Sequence, residues 1–188
     1  MKILGIDPGS RATGYAVLEE NNRIFTPLAI GVIRTHDIDD HTRRLQTIFE
    51  EVSELVSIHK PDECAVETPV YGSDPLAMLK LGRAQAAAIL AVTNSGLQIA
   101  EYYPKAVKKA ITGNGNASKK QVASMLQRMM ELGDVSLTND ATDALAVAWC
   151  HHMRRNSVAG QSKKTHQNNS KSGWAAFMEQ NPDRVKKH

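Results

Sequence analysis

The chain has 188 residues, of which 41% are hydrophobic, and it carries 23 Lys/Arg against 20 Asp/Glu. This length allows one domain with a sizeable core and excludes a protein of two large lobes, while the composition is typical of a soluble globular protein. The longest apolar-rich run, residues 84–92, is too short to span a bilayer and no signal-peptide pattern begins the sequence, so we expect a cytoplasmic protein without a membrane segment.

The first elements are predicted to be three strands. Residues 2–7 read as a short buried strand that stops at a Pro-Gly pair, and residues 14–19 and 25–33 are two further apolar, β-rich runs. The Asn-Asn pair at 21–22 has good turn chemistry. Three consecutive strands with short connections predict an antiparallel meander at the start of the fold.

The periodicity then changes to that of helices. Apolar residues between Leu45 and Val56 recur at three- and four-residue spacing, which predicts an amphipathic helix. Strands are predicted at 64–67, beside the first strand, and at 97–100. Further helices are predicted at 75–93, 104–111, 119–131 and 140–154. This order favours an α/β domain of three layers (α/β/α) with a five-stranded mixed sheet.

The composition changes after about residue 155, where Asn, Ser, Gln, Lys and His dominate. We therefore predict a domain at residues 1–155 and a flexible, disordered basic tail at 156–188. From Arg154 onward there are eight Lys/Arg and two acids, so the preceding body is slightly acidic. Such a tail could bind polyanions, or it could simply be solvated.

Four acids stand at positions where stability alone does not require an acid. Asp7 and Glu67 each end a predicted buried strand, and Asp140 and Asp143 lie three residues apart on one face of the last predicted helix. A buried carboxylate is costly unless it is paired or binds a cation. If the last helix packs across the ends of the two strands, the four acids could surround a divalent ion.

Each acid also has an ordinary explanation. Asp7 could begin a turn, Asp140 could complement the positive end of its helix, and Glu67 could be an exposed strand end. Carboxylates prefer Mg²⁺ or Mn²⁺, and the Cys and His spacing of a zinc site is missing from the sequence. Two ions roughly 3.5–4 Å apart could support phosphodiester hydrolysis at such a site.

Five lysines form a local positive strip in the acidic body. This strip suits phosphate groups, although a solvated helix face would look the same in sequence. Glycines at 113 and 115 predict a tight loop that can approach a nucleic-acid backbone closely. The strip consists of Lys105, Lys108, Lys109, Lys119 and Lys120.

Five motifs occur in order over residues 1–155: ILGIDPGSRATGY at 3–15, AVE at 65–67, LKLGRAQ at 79–85, YPKAVKK at 103–109 and DATDALAVA at 140–148. Together they resemble one family, the RuvC-type Holliday-junction resolvases of the RNase H-like superfamily. The resemblance implies an RNase H-like fold and a homodimer that nicks two opposing strands of a four-way DNA junction. It further implies a branch-migration partner, the RuvA–RuvB complex.

The resemblance also assigns roles to residues. It implies that Asp7, Glu67, Asp140 and Asp143 are catalytic and hold Mg²⁺, for which Mn²⁺ can substitute, with two ions in the active site. Lys108 and Lys119 match family residues that contact the DNA backbone near the cut. The family often has a junction-stacking aromatic residue in the loop after Glu67. Here Val70 aligns with it and Tyr71 follows, so either residue is a candidate for that contact.

The predicted helix at 75–93 is apolar around much of its circumference, and the family forms its dimer at the matching helix. Burial of both faces within one subunit is the alternative.

Three other functions are compatible with parts of the sequence. An actin-like or sugar-kinase ATPase begins with a similar strand-Asp-x-Gly-Ser/Thr turn, but it needs two comparable lobes. A nucleic-acid-binding domain without activity would be expected to lack one of the acids, and all four are present. A nuclease for RNA–DNA hybrids would share the metal chemistry, but the lysine strip and the motif at 79–85 favour the resolvase.

Overall fold

A mixed five-stranded sheet, with the strand order β3-β2-β1-β4-β5, forms the centre of the computed structural model. The structure describes residues 1–22, 24–70, 72, 74–130 and 138–162, with side chains up to residue 155. The strands are β1 (Lys2–Asp7), β2 (Ala12–Asn21), β3 (Ile24–Arg34), β4 (Glu63–Glu67) and β5 (Ile99–Tyr102). The helices are α1 (His41–His59), α2 (Pro75–Asn94), α3 (Pro104–Thr112), α4 (Lys119–Met129) and α5 (Asn139–Ser162).

Strands β1, β2 and β3 form the predicted antiparallel meander, whereas β4 and β5 continue the sheet in parallel with β1. Asn22 turns the chain between β2 and β3 with a φ of 52°, a conformation that Asn tolerates better than most residues. Pro27 is accommodated because β3 is an edge strand and the β2–β3 register shifts nearby. The predicted α/β fold with a mixed sheet is confirmed.

Two apolar layers cover the sheet. On one face Leu4, Ile6 and Val66 pack with α1 and α2, and on the other Ile3 and Leu18 pack with α3, α4 and α5. These strand residues alternate between the faces, as the pleat of a strand requires. The three predicted layers are therefore present, with α5 on the face opposite α1 and α2.

Several element boundaries differ from prediction, among them those of β5, α4 and α5. The prediction for the last strand, 97–100, was too early, because β5 pairs with β4 from Ile99 to Tyr102 and this pairing includes the polar Glu101. The prediction for α4 was too long, since the helix ends at Met129 with Met130 as its cap. Helix α5 continues past the predicted end at residue 154 to Ser162, because a polar sequence without proline can extend a helix.

Residues Met1–Arg155 form one compact unit. Of the predicted tail, the structure describes only the helical backbone up to Ser162, and residues 163–188 lie outside the described part.

Helix α2 as a whole is long and apolar enough to cross a membrane, judged by length and composition alone. The apolar run at 84–92, on which the sequence-based expectation rested, is only part of this helix. One face of the helix, however, is a core face of small residues. Ala84, Ala88 and Val92 are fully buried against the sheet and α1, while Leu79 and Leu90 on the other side are 51% and 60% exposed. The helix thus combines the packing of a core helix with an exposed apolar face.

Candidate active site

Two adjacent strands bring the first two acids to the same edge of the sheet. Strand β1 ends at Asp7 and strand β4 ends at Glu67, and the strands run parallel with Ile6 opposite Val66. The register places Asp7 and Glu67 as the next pair along the two strands. Both side chains are partly buried. The geometry expected from the order of the strands is therefore present.

The other two acids reach this edge because α5 lies directly on glycine backbone. Gly14 on β2 is paired with Asp7, and a Cβ atom at Gly14 would lie 1.9 Å from the backbone oxygen of Asp140. A Cβ atom at Gly5 would lie 2.3 Å from the backbone oxygen of Ala144. The absence of these two side chains lets the N-terminal part of α5 approach the sheet and bring its acids towards Asp7.

Sequence analysis did not assign this role to Gly5 and Gly14. A signal was present, since both glycines lie within strands, where glycine often marks a close approach of another backbone. The facing helix also has small residues, Ala141, Ala144 and Ala148.

A cleft of about 280 Å³ lies at this edge of the sheet. Asp7, Glu67 and Asp143 line it together with two cationic side chains, Lys108 and Lys119. Its apolar wall consists of Pro104, Val107, Val122 and Ala146. Asp140 does not line this cleft, but its charge acts on Asp7. The cleft thus places three carboxyl groups and two lysine ammonium groups beside an apolar surface.

The two strand-end acids hold their protons unusually strongly. Burial, followed by the charge of Asp143, raises the pKa of Asp7 from 3.8 to about 7, although the charge of Lys119 opposes this rise. Burial, followed by the charges of Asp7 and Asp143, raises the pKa of Glu67 from 4.5 to about 8. Without a bound cation, ionisation of Asp7 and Glu67 is therefore unfavourable at neutral pH.

Lys119 is the cation in closest contact with the acids. Its Nζ lies 2.5 Å from Oδ2 of Asp143, and the lysine side chain is 62% exposed whereas the aspartate side chain is 18% exposed. Burial alone would lower the pKa of Lys119. The hydrogen bond to Asp143, together with nearby carboxylate charges, raises this pKa above its ordinary value.

The predicted lysine strip divides into two groups. Lys108, which is partly buried, and Lys119 line the carboxylate cleft. Lys105 and Lys109 are exposed on α3 and do not line it, and Lys120 lines a separate open groove near Asn114 and Ser124. Neighbours in the sequence thus face different surfaces, since Lys108 and Lys119 line the cleft whereas Lys109 and Lys120 do not.

The loop after Glu67 is described only in part. Val70 is 53% exposed, whereas Tyr71 lies outside the described residues.

Gly113, which caps α3, has a φ of 75°, a conformation that glycine adopts without strain.

The donor set suits a hard divalent cation. All candidate ligands are carboxylates, which is the ligand type that Mg²⁺ and Mn²⁺ prefer, and clustered like charges favour binding of a cation. Within the described part of the chain, no three Asp, Glu, His or Cys side chains already stand in a metal-binding arrangement. The donor chemistry fits a metal ion, and the side chains would have to adjust to hold it.

Comparison with known proteins identifies close relatives. Residues 3–151 match the family model for crossover junction endodeoxyribonuclease RuvC. The RuvC of Salinibacter ruber is 48% identical over 185 residues, covering 98% of this chain and 99% of that protein. The RuvC of Cytophaga hutchinsonii is 44% identical over 184 residues, covering 98% and 88% respectively. The solved structure of T. thermophilus RuvC in complex with a Holliday junction substrate is 28% identical, with a TM-score of 0.78 over 84% of this chain and 96% of that one.

Proposed function

Because the chain belongs to the RuvC family of crossover junction endodeoxyribonucleases, we propose that it resolves four-way (Holliday) DNA junctions during recombination and repair. The reaction is metal-dependent, symmetric nicking of two opposing strands. The observation that carries this proposal is the cleft in which Asp7, Glu67 and Asp143 meet Lys108 and Lys119. It combines the groups needed to hold a divalent cation with those needed to hold a phosphate.

The carboxylates Asp7, Glu67, Asp140 and Asp143 would hold Mg²⁺, or Mn²⁺ in its place, with two ions in the site. When bound there, such ions supply an activated water and stabilise the leaving oxygen of an in-line displacement. Since ions relieve the mutual repulsion of the acids, their binding favours the ionised forms of Asp7 and Glu67.

The lysines orient the DNA strand. Lys108 and Lys119, which line the cleft, are suited to contact the phosphates next to the scissile bond. Lys105, Lys109 and Lys120 would contact the backbone further along the strand, because they are exposed outside the cleft. Val70 is exposed in the loop beyond Glu67, where it or Tyr71 would contact the bases at the centre of the junction.

A homodimer would place two such sites on one junction. The exposed apolar face of α2, with Leu76, Leu79 and Leu90, is suited to pack against a second copy of the chain. We further propose a cytoplasmic location, the RuvA–RuvB complex as branch-migration partner, and a basic tail beyond the domain at 1–155. The partner is inferred from the family, whereas the location and the tail are inferred from the sequence itself.

A substrate comparison tests the proposal. Purified protein with Mg²⁺ is incubated with a synthetic four-way junction, a linear duplex of the same sequence and an RNA–DNA hybrid. We expect paired nicks in opposing strands of the junction and little cutting of the duplex. Preferential cleavage of the hybrid would instead support the alternative nuclease on this fold.

A further inference from the structure

Lys119 occupies a position that helix stability does not favour. It is the first residue of α4, immediately after the N-cap Ser118, which forms a capping box with Gln121. The first turn of a helix has a partial positive charge, so a lysine there is electrostatically unfavourable. The carboxylates opposite this turn offset that cost, since the ammonium of Lys119 contacts Asp143 directly.

The ammonium acts on the whole carboxylate cluster and not on Asp143 alone. Its Nζ contacts Oδ2 of Asp143, and Asp7 lines the same cleft. Asp7 and Glu67 line the same cleft as Lys119, so the positive charge of the lysine lies close to their carboxyl groups as well. A divalent cation bound among these acids would exert the same kind of influence on them. The ammonium of Lys119 and the metal ion would therefore both be attracted to the same carboxylates.

We propose that Lys119 is the resident counter-cation of the metal-free site, and that a divalent ion displaces its ammonium from Asp143 on binding. This inference rests on the proposed function, because it assumes that the acids hold the metal. Two cations so close together repel each other, and both make use of the oxygens of Asp143.

Displacement of the lysine requires little rearrangement. Its side chain is 62% exposed, so the stem can move without opening the core. The displaced ammonium remains at the cleft with Lys108, where it can contact a phosphate of the bound strand. Exchange of one cation for the other thus keeps a positive charge beside Asp143 throughout and provides a phosphate contact when metal is present.

Calorimetric titration of Mn²⁺ into the DNA-free protein tests this exchange. We compare Lys119→Met with a matched control, Lys120→Met, which removes the adjacent lysine that faces the separate groove. We expect Lys119→Met to bind Mn²⁺ roughly five- to tenfold more tightly than the control, a typical size for coupling between two bound groups. Equal or weaker binding by Lys119→Met would overturn the proposal.

Thermal unfolding in EDTA at pH 8 provides a second measurement. Lys119→Met should unfold at a lower temperature than Lys120→Met, and saturating Mn²⁺ should remove the difference. A difference that persists with Mn²⁺ would contradict the exchange. If Lys119→Met does not fold without metal, Lys119→Gln, which retains a hydrogen-bond donor, must show the same tighter binding. Failure of the wild-type protein to bind Mn²⁺ would instead count against the proposed function.

Discussion

At the scale of single residues, the site holds two carboxyl groups whose ionisation is opposed first by burial and then by the charge of neighbouring acids. Asp7 and Glu67 have pKa values raised to about 7 and about 8 by burial and by neighbouring acids. Such an arrangement reduces the stability of the metal-free protein, and binding of the proposed cation would offset this cost. Destabilised groups of this kind are common at functional sites.

The raised pKa values predict how the stability of the metal-free protein depends on pH. In the unfolded chain these carboxyls ionise near their ordinary values of 3.8 and 4.5, whereas in the folded protein they remain protonated up to about 7 and 8. The unfolded state therefore binds fewer protons between these limits, so the free energy of unfolding falls as the pH rises from 5 to 8. Urea unfolding in EDTA at several pH values measures this change.

A variant isolates the contribution of one carboxyl. Glu67→Gln should be more stable than the wild type at pH 8 in EDTA by about 1–3 kcal/mol, with little difference at pH 5. The control Glu54→Gln, at an exposed position on α1, should leave the pH profile unchanged. A Glu67→Gln protein whose pH dependence matched that of the wild type would show that Glu67 titrates normally.

At the scale of elements, the contact between α5 and the sheet determines whether the acids can meet. Gly14 faces the backbone of Asp140 so closely that any side chain would force the helix away. The same is true of Gly5 beside Ala144. These two glycines thus influence where α5 lies on the sheet and, through it, where Asp140 and Asp143 lie.

We predict that Gly14→Ala displaces the start of α5 and lowers the rate of junction nicking on the order of 10- to 100-fold, since small misplacements of reacting groups have effects of this size. Overpacking should also reduce stability by about 1–3 kcal/mol. Gly31→Ala is the control, because the three atoms nearest to its new Cβ belong to the side chain of Tyr15, which can move, and not to the backbone of a helix. Equal nicking rates for the two variants, measured in single-turnover assays, would exclude this role for Gly14.

The exposed face of α2 supports a second prediction for an element. Leu79→Glu should shift the protein from dimer to monomer in analytical ultracentrifugation and leave its helical content unchanged, because a charge on an apolar contact opposes association. Ile24→Glu, at a 68% exposed apolar residue on edge strand β3, should remain dimeric. A dimeric Leu79→Glu protein would locate the subunit contact elsewhere.

Elements with strong local signals were predictable from the sequence. The Asn-Asn turn indicated the hairpin of β2 and β3, and the apolar period indicated α1. The register of β5 was predicted wrongly, because pairing with β4 includes the polar Glu101 and local pattern does not reveal a partner strand. For the same reason, sequence could not show that Lys119 faces Asp143 whereas Lys120 faces another groove. Such contacts depend on tertiary packing.

At the scale of the whole molecule, binding and chemistry are assigned to different groups. Under the proposed function, binding of the junction would rely on exposed lysines, on the loop that contains Val70 and on the pairing of two subunits. Cleavage would rely on the carboxylates at the ends of β1 and β4 and at the start of α5. If this division holds, one acid can be neutralised without loss of the complex with DNA.

The most direct test is to measure junction binding and junction nicking in Asp7→Asn, which preserves the shape of the side chain and removes its charge. We predict that nicking in Mg²⁺ falls by at least about 10³-fold, as is common when a group essential to catalysis is lost. The dissociation constant for the junction, measured in Ca²⁺, should stay within about threefold of the wild-type value, because phosphate contacts dominate affinity. Equal losses of binding and nicking would contradict the division and identify Asp7 as a structural residue.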